Sequence, residues 1–134
     1  MTTAAQDLEL ISEAAREAGL LAVRLREAGL ETALKEGDSP VTNADLATDA
    51  LIKSRLTGAR PDYGWLSEET PDDPARRAHR RLFVVDPIDG TRAFIKARPW
   101  WAVSVAVVED GLPIAGVVYA PDRDEMFQAT AGGG

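Results

Sequence analysis

Along the first thirty positions, apolar residues recur at alternating intervals of three and four: Leu8, Ile11, Ala15, Ala18, Ala22 and Leu25. That spacing places all six on one face and predicts a helix over 3–29. Thr3 and Gln6 form a capping pair at its start. Gly29 is a natural stop, because glycine enters the left-handed C-terminal position without a Cβ penalty. The stripe has coiled-coil spacing, but it ends after about three repeats and is rich in alanine, so packing against a sheet is the stronger reading. After a polar stretch over 35–40, a second helix is predicted over 42–56, with Thr42 or Asn43 as N-cap. Its acids Asp45 and Asp49 stand four apart and face one side. Complementing the helix dipole is the ordinary role of acids in an opening turn, and membership of a site is the other.

From Tyr63 onward the period changes from helical to extended. YGWLSE (63–68), RLFVVD (81–86), WAVSVAVVE (101–109), IAGVVYAP (114–121) and EMFQAT (125–130) read as short strands, and Asp110-Gly111 as the turn of a hairpin. TPDDPARRAHRR (70–81) reads as an exposed loop with a helical turn. Its arginines Arg76, Arg77, Arg80 and Arg81 are expected to form a solvated face offsetting Asp72 and Asp73, with a grip on a polyanion as the alternative. His79 is expected at the surface without a partner. These elements predict an α/β sandwich, two N-terminal helices packed on a largely antiparallel sheet, and the absence of a linker predicts one domain over 1–134.

Composition narrows the chemistry. The 134 residues carry a net charge of −7, which disfavours a nucleic-acid or anionic-membrane surface. A phosphate-bearing partner therefore needs a local device to hold it. A hydrophobic fraction of 45% suits a folded, soluble domain. Cysteine is absent, which excludes disulfides, thiolate nucleophiles and thiolate zinc sites and fits a reducing cytoplasm. With His79 as the single histidine, any metal must be held by oxygen, which selects hard ions such as Mg²⁺, Mn²⁺ or Ca²⁺. The opening residues lack the order of a signal peptide, and the longest nearly apolar run, 100–108, is far short of the ~20 residues that span a bilayer.

The most informative stretch is FVVDPIDGTRAFI (83–95). An apolar strand ends in Asp86 and Asp89, and Pro87 between them predicts a sharp turn out of the strand that lets both carboxylates face one small space. Carboxylates that close repel unless a cation lies between them. Gly90 permits close backbone approach, and Thr91 opens what reads as a helix, whose free amides suit a phosphate. The competing reading is an ordinary Asp-Pro turn followed by an N-cap. A second apolar strand ending in acids, WLSEE, weighs against it, because adjacent strands ending at one edge would bring Glu68 toward Asp86.

SPVTNAD (39–45), WLSEE (65–69) and DPIDGT (86–91), in this order and spacing, resemble the inositol monophosphatase family of Mg²⁺-dependent, lithium-sensitive phosphatases. The resemblance covers essentially the whole chain, including the opening helix and the GVVYAP and GGG stretches. It implies the first half of the sugar-phosphatase fold, shared with fructose-bisphosphatase-like proteins. Carried over residue by residue, it implies that Glu68, Asp86 and the Ile88 carbonyl bind a first Mg²⁺ and that Asp86 and Asp89 contribute to a second, with Mn²⁺ able to substitute. It implies further that Thr91 pairs with Asp45 to orient and deprotonate the attacking water, and that the Gly90 and Thr91 amides hold the substrate phosphate. Lys35 is placed similarly to a family lysine near the active site, with a loop of different length before Pro40.

The chemistry suits these residue types. A phosphate monoester repels hydroxide, and divalent cations offset the charge of both and make hydroxide available near neutral pH. Members of the family are far longer, and their second half carries a Trp-Asp motif that completes the second metal site. No such motif follows here, so the expectation is the N-terminal half alone, with full activity in doubt; two copies joined at the open sheet edge, a homodimer, would compensate. TRAFI with APDRDEMF most resembles the bisphosphate nucleotidase branch, whose small phosphorylated substrate is adenosine 3',5'-bisphosphate. RAFIKARPWW also resembles histidinol-phosphate phosphatases, and inositol monophosphate is a third candidate. The rival to an enzyme is a catalytically incompetent fragment that binds metal or phosphate. A Ca²⁺-stabilised module is disfavoured, because the spaced acidic loop and terminal glutamate of an EF-hand are missing.

Overall fold

Thr3 opens the first helix with a closed capping box: its hydroxyl accepts from the Gln6 amide at 3.1 Å, and the Gln6 side chain accepts from the Thr3 amide at 2.9 Å. In the computed structural model, which describes residues 2–35, 39–69 and 74–132, this helix, α1, spans Ala4–Ala28 and stops at Gly29 with φ 107°. Ile11, Ala15, Ala18 and Ala22 are fully buried, and Leu8 and Leu25 pack at the rim of the core. Small residues bring the helix close to the sheet, so that a Cβ on Gly19 would stand 2.7 Å from the Tyr119 ring and from Pro121.

The polar stretch after α1 is not a plain loop. Strands β1 (Thr32–Lys35) and β2 (Ser39–Thr42) pair antiparallel as a separate two-stranded ribbon. Every residue of β1 is exposed, so no apolar alternation marks it in the sequence. Helix α2 (Asn43–Ala59) follows, with Thr42 as N-cap and Asp45 closing a second capping box.

The main sheet has five strands in chain order: β3 (Gly64–Ser67), β4 (Arg81–Asp89), β5 (Ala102–Glu109), β6 (Leu112–Ala120) and β7 (Glu125–Thr130). The β3–β4 pair is parallel and the other pairs are antiparallel. Helices α1 and α2 lie on one face, over Phe83, Val85, Val103, Val105, Val107, Val117 and Tyr119, all buried. Each such large apolar side chain contributes about 1.5–3 kcal/mol by leaving water. On the opposite face Val118 and Phe127 are 40% and 60% exposed. Asp110 and Gly111 turn β5 into β6 with φ 49° and 84°, the left-handed pair that a two-residue hairpin requires. Among the described residues no helix is long and apolar enough to cross a membrane.

Three further expectations are corrected. The chain does not turn out of the strand at Pro87; β4 runs on to Asp89 through a register shift, with Asp86 opposite Ser104 and Asp89 opposite Ala102. Three steps on one strand match two on its partner, a bulge that absorbs the donor proline lacks. Arg81 is not part of a solvated face: it is nearly buried at the start of β4, bonded to Asp7, Tyr63 and Glu109. Arg80 pairs with Glu109 and Asp110, while Asp72, Asp73 and the Arg77 side chain lie outside the described residues. His79 has a partner, its Nδ1 standing 2.7 Å from the Asp62 carbonyl oxygen.

Candidate active site

Because β3 and β4 are parallel and in register from Gly64↔Leu82 to Ser67↔Val85, their C-terminal ends reach one edge together. The Glu68 amide donates to the Val85 carbonyl at 3.3 Å, which puts Glu68 next to Asp86. Past the bulge comes Gly90, with φ 89° and its Cα so close to the next loop that a Cβ would meet the Trp100 carbonyl oxygen at 2.7 Å. Any other residue would be strained there and would clash with backbone. The short helix α3 (Thr91–Ile95) begins at this point, anchored by Phe94, which is fully buried edge-on to Trp101.

These corners enclose a cleft of about 350 Å³, lined by Lys35, Ser39 and Pro40 from the β1–β2 ribbon, by Glu68 and Glu69, and by Asp86, Ile88, Asp89, Gly90, Thr91 and Arg92. Asp45 reaches it from below. It is fully buried, and its Oδ2 accepts from the Thr42 amide at 2.8 Å and the Thr42 hydroxyl at 2.6 Å. Its Oδ1 accepts from the Thr91 hydroxyl at 2.9 Å. Asp45 is thus both a helix-cap residue and a hydrogen-bond partner of a residue lining the cleft. The Thr91 hydroxyl also stands 3.2 Å from the Ile88 carbonyl oxygen.

Charge in the cleft is unbalanced. Burial pushes the Asp86 carboxyl up to about 6, and the neighbouring Asp89, Glu68, Glu69 and Asp45 push in the same direction. Glu69 is raised by burial against the opposing pull of Lys35, whose Nζ lies 3.2 Å from Glu69 Oε1. Glu68 and Asp89 are exposed at the mouth. Among the described residues no three acid or imidazole side chains are gathered as they would be around a metal ion. The donors are carboxylate, carbonyl and hydroxyl oxygens with neither imidazole nor thiolate, a set that fits a hard dication.

Lys35, Glu68, Asp86, Ile88, Asp89, Gly90 and Thr91 border this cleft, and Asp45 bonds to Thr91, while Arg80, Arg81 and His79 lie elsewhere. Two contributors, Glu69 and Ser67, are not singled out by the sequence, whereas Asp49 is weighed there together with Asp45 as an acid on one side of α2. WLSEE contains Glu69 and Ser67, but which glutamate is buried depends on the ribbon that supplies Lys35. A larger cavity, about 520 Å³, lies beside Arg60, Tyr63, Arg80 and Arg81. Its arginines Arg60, Arg80 and Arg81 are paired with Asp7, Glu109 and Asp110.

The sequence model of the inositol monophosphatase family matches residues 4–134. A 3'(2'),5'-bisphosphate nucleotidase CysQ of Salmonella typhimurium is 41% identical over 128 residues, covering 93% of this chain and 52% of the relative. A histidinol-phosphatase of Chlorobaculum parvum is 36% identical over 129 residues, covering 96% of this chain and 49% of the relative. Among solved structures, the extragenic suppressor protein suhB of Bartonella henselae matches with a TM-score of 0.90 at 35% identity, over 96% of this chain and 50% of that one. The chain spans about half the length of the curated relatives it matches. On its match over nearly every residue, the chain belongs to the inositol monophosphatase family.

Proposed function

We propose that this chain carries the metal- and phosphate-binding half, the N-terminal half, of a Mg²⁺-dependent phosphomonoesterase acting on a small phosphorylated metabolite. The observation that carries the reading is a single cleft lined by Glu68, Glu69, Asp86 and Asp89, with the half-buried Asp86 carboxyl pushed up by burial and by these neighbours. In this reading Glu68, Asp86 and the Ile88 carbonyl hold one Mg²⁺ or Mn²⁺, and Asp86 and Asp89 contribute to a second. When bound, such ions offset phosphate charge and lower the pKa of water. Thr91, whose proton points at Asp45 Oδ1, keeps its lone pairs free to orient an attacking water. Asp45 then receives the proton relayed through the Thr91 hydroxyl. The Gly90 and Thr91 amides hold the phosphate at a corner that only glycine can make.

Adenosine 3',5'-bisphosphate is the favoured substrate, supported by the CysQ relative's higher identity, with histidinol phosphate and inositol monophosphate as competitors. A cytoplasmic location and pairing of two copies belong to the same reading. The second reading is that this stretch binds metal and phosphate without turnover by itself. Both are tested by incubating the chain with Mg²⁺ and each of the three substrates beside an Asp86→Asn control, with Mn²⁺ binding measured in parallel. Phosphate release above the control supports the enzyme, and Asp86-dependent Mn²⁺ binding without release supports the second reading. Failure of both overturns the metal site.

A further inference from the structure

Helix α2 sends two carboxylates, one turn apart, toward the two corners of the cleft. Asp45 bonds Thr91, which follows β4. Asp49 accepts a hydrogen bond from the hydroxyl of Ser67, the last residue of β3, and both side chains are almost wholly buried. The same Ser67 oxygen accepts from the Glu69 amide at 3.2 Å. A relay therefore runs from a buried carboxylate through a hydroxyl to the backbone of the Glu68–Glu69 corner, each bond polarising the next. The corner's other recorded backbone tie is the longer bond from the Glu68 amide to the Val85 carbonyl, at 3.3 Å. Removing the relay would leave the peptide between two glutamates free to turn, in a place where their mutual repulsion with Asp86 already drives them apart.

We infer that Asp49 is a positioning residue that, through Ser67, fixes the Glu68–Glu69 corner beside Asp86 for a divalent cation. The inference rests on the reading of the cleft as a metal site. Outer partners that orient ligands in this manner typically govern metal affinity by about 10–100-fold. The geometry also separates orientation from charge, since an asparagine at position 49 can still accept from Ser67 while carrying no charge.

The test is a Mn²⁺ titration of the full 134-residue chain, read by electron paramagnetic resonance, for wild type, Asp49→Ala, Asp49→Asn, Ser67→Ala and Asp86→Asn. Asp49→Ala is expected to weaken binding about tenfold, and Asp49→Asn to restore most of it. Ser67→Ala should match Asp49→Ala, and a chain carrying both Asp49→Ala and Ser67→Ala, titrated in the same way, should lose no more than either single variant. Ser67→Ala removes the same bond with a smaller buried change and carries the test if Asp49→Ala does not fold. Equal losses in the alanine and asparagine variants would assign the effect to charge and overturn the inference. Wild-type affinity in Ser67→Ala, with Asp86→Asn impaired, would overturn it while leaving the metal site standing. Unimpaired binding in Asp86→Asn would overturn both.

Discussion

The two ends of β4 treat charge in opposite ways. At the first, Arg81 is buried against Asp7, Tyr63 and Glu109, and Arg60 donates to the other oxygen of Asp7 at 3.1 Å. Asp7 itself is fully buried and accepts from the Tyr63 hydroxyl at 2.7 Å. Each ion there has a partner of opposite sign, and the cluster pins α1 and α2 to the sheet. At the other end Glu68, Glu69, Asp86 and Asp89 line a cleft with Lys35 and Arg92, and burial, reinforced by the neighbouring acids, raises the Asp86 pKa. A buried acid with its cation built in serves the fold. A group of acids without enough cations lowers its energy by taking one from solution.

Substitutions at each end should therefore separate stability from binding. The largest effect is expected from Asp7→Ala, which leaves the part-buried Arg60 without its carboxylate and Arg81 with Glu109 alone, and should cost about 3–5 kcal/mol in denaturant unfolding. Folded protein should still bind Mn²⁺ normally; lost affinity there would break the contrast. Next is Asp86→Asn, expected to weaken Mn²⁺ binding by at least about a hundredfold, beyond the usual cost of an outer partner. Metal-free Asp86→Asn should melt no lower than wild type, because the change relieves repulsion. Thr91→Val should cost about 1–3 kcal/mol in unfolding free energy by leaving Asp45 Oδ1 without its donor in a buried site.

The smallest effect is the response to pH. Asp86 titrates at about 6 in the fold against an ordinary value of 3.8. Between these values the folded chain holds a proton that the unfolded chain has released, so metal-free stability falls as pH rises through the window. Measured against Asp86→Asn, which lacks this step, the wild-type melting midpoint should drop by a few degrees between about pH 4 and pH 7. Saturating Mn²⁺ should reverse the slope, because the cation competes with protons for the same oxygens.

Local patterns made part of this readable in one dimension. The α1 stripe, its Thr3–Gln6 cap and the Asp110-Gly111 hairpin depend on neighbours within about one turn, and all three stand where periodicity and turn chemistry place them. The ends of WLSEE and RLFVVD pointed to one shared edge because strand and acid are contiguous in the chain. The β1–β2 ribbon was not readable, since an exposed four-residue strand beside Pro40 carries no burial pattern. Nor was the bulge at Pro87, whose register is set by β5.

Which charges are matched was decided by packing alone. Asp7 meets Arg81 across 74 positions, and Glu69 meets Lys35 across 34. Side-chain chemistry, helix period and turn types are local properties, so the amino-acid order determined the elements and the donor types available to them. The neutralising partner of a buried acid depends on the close approach of remote segments, which exists only once the helices have docked on the sheet.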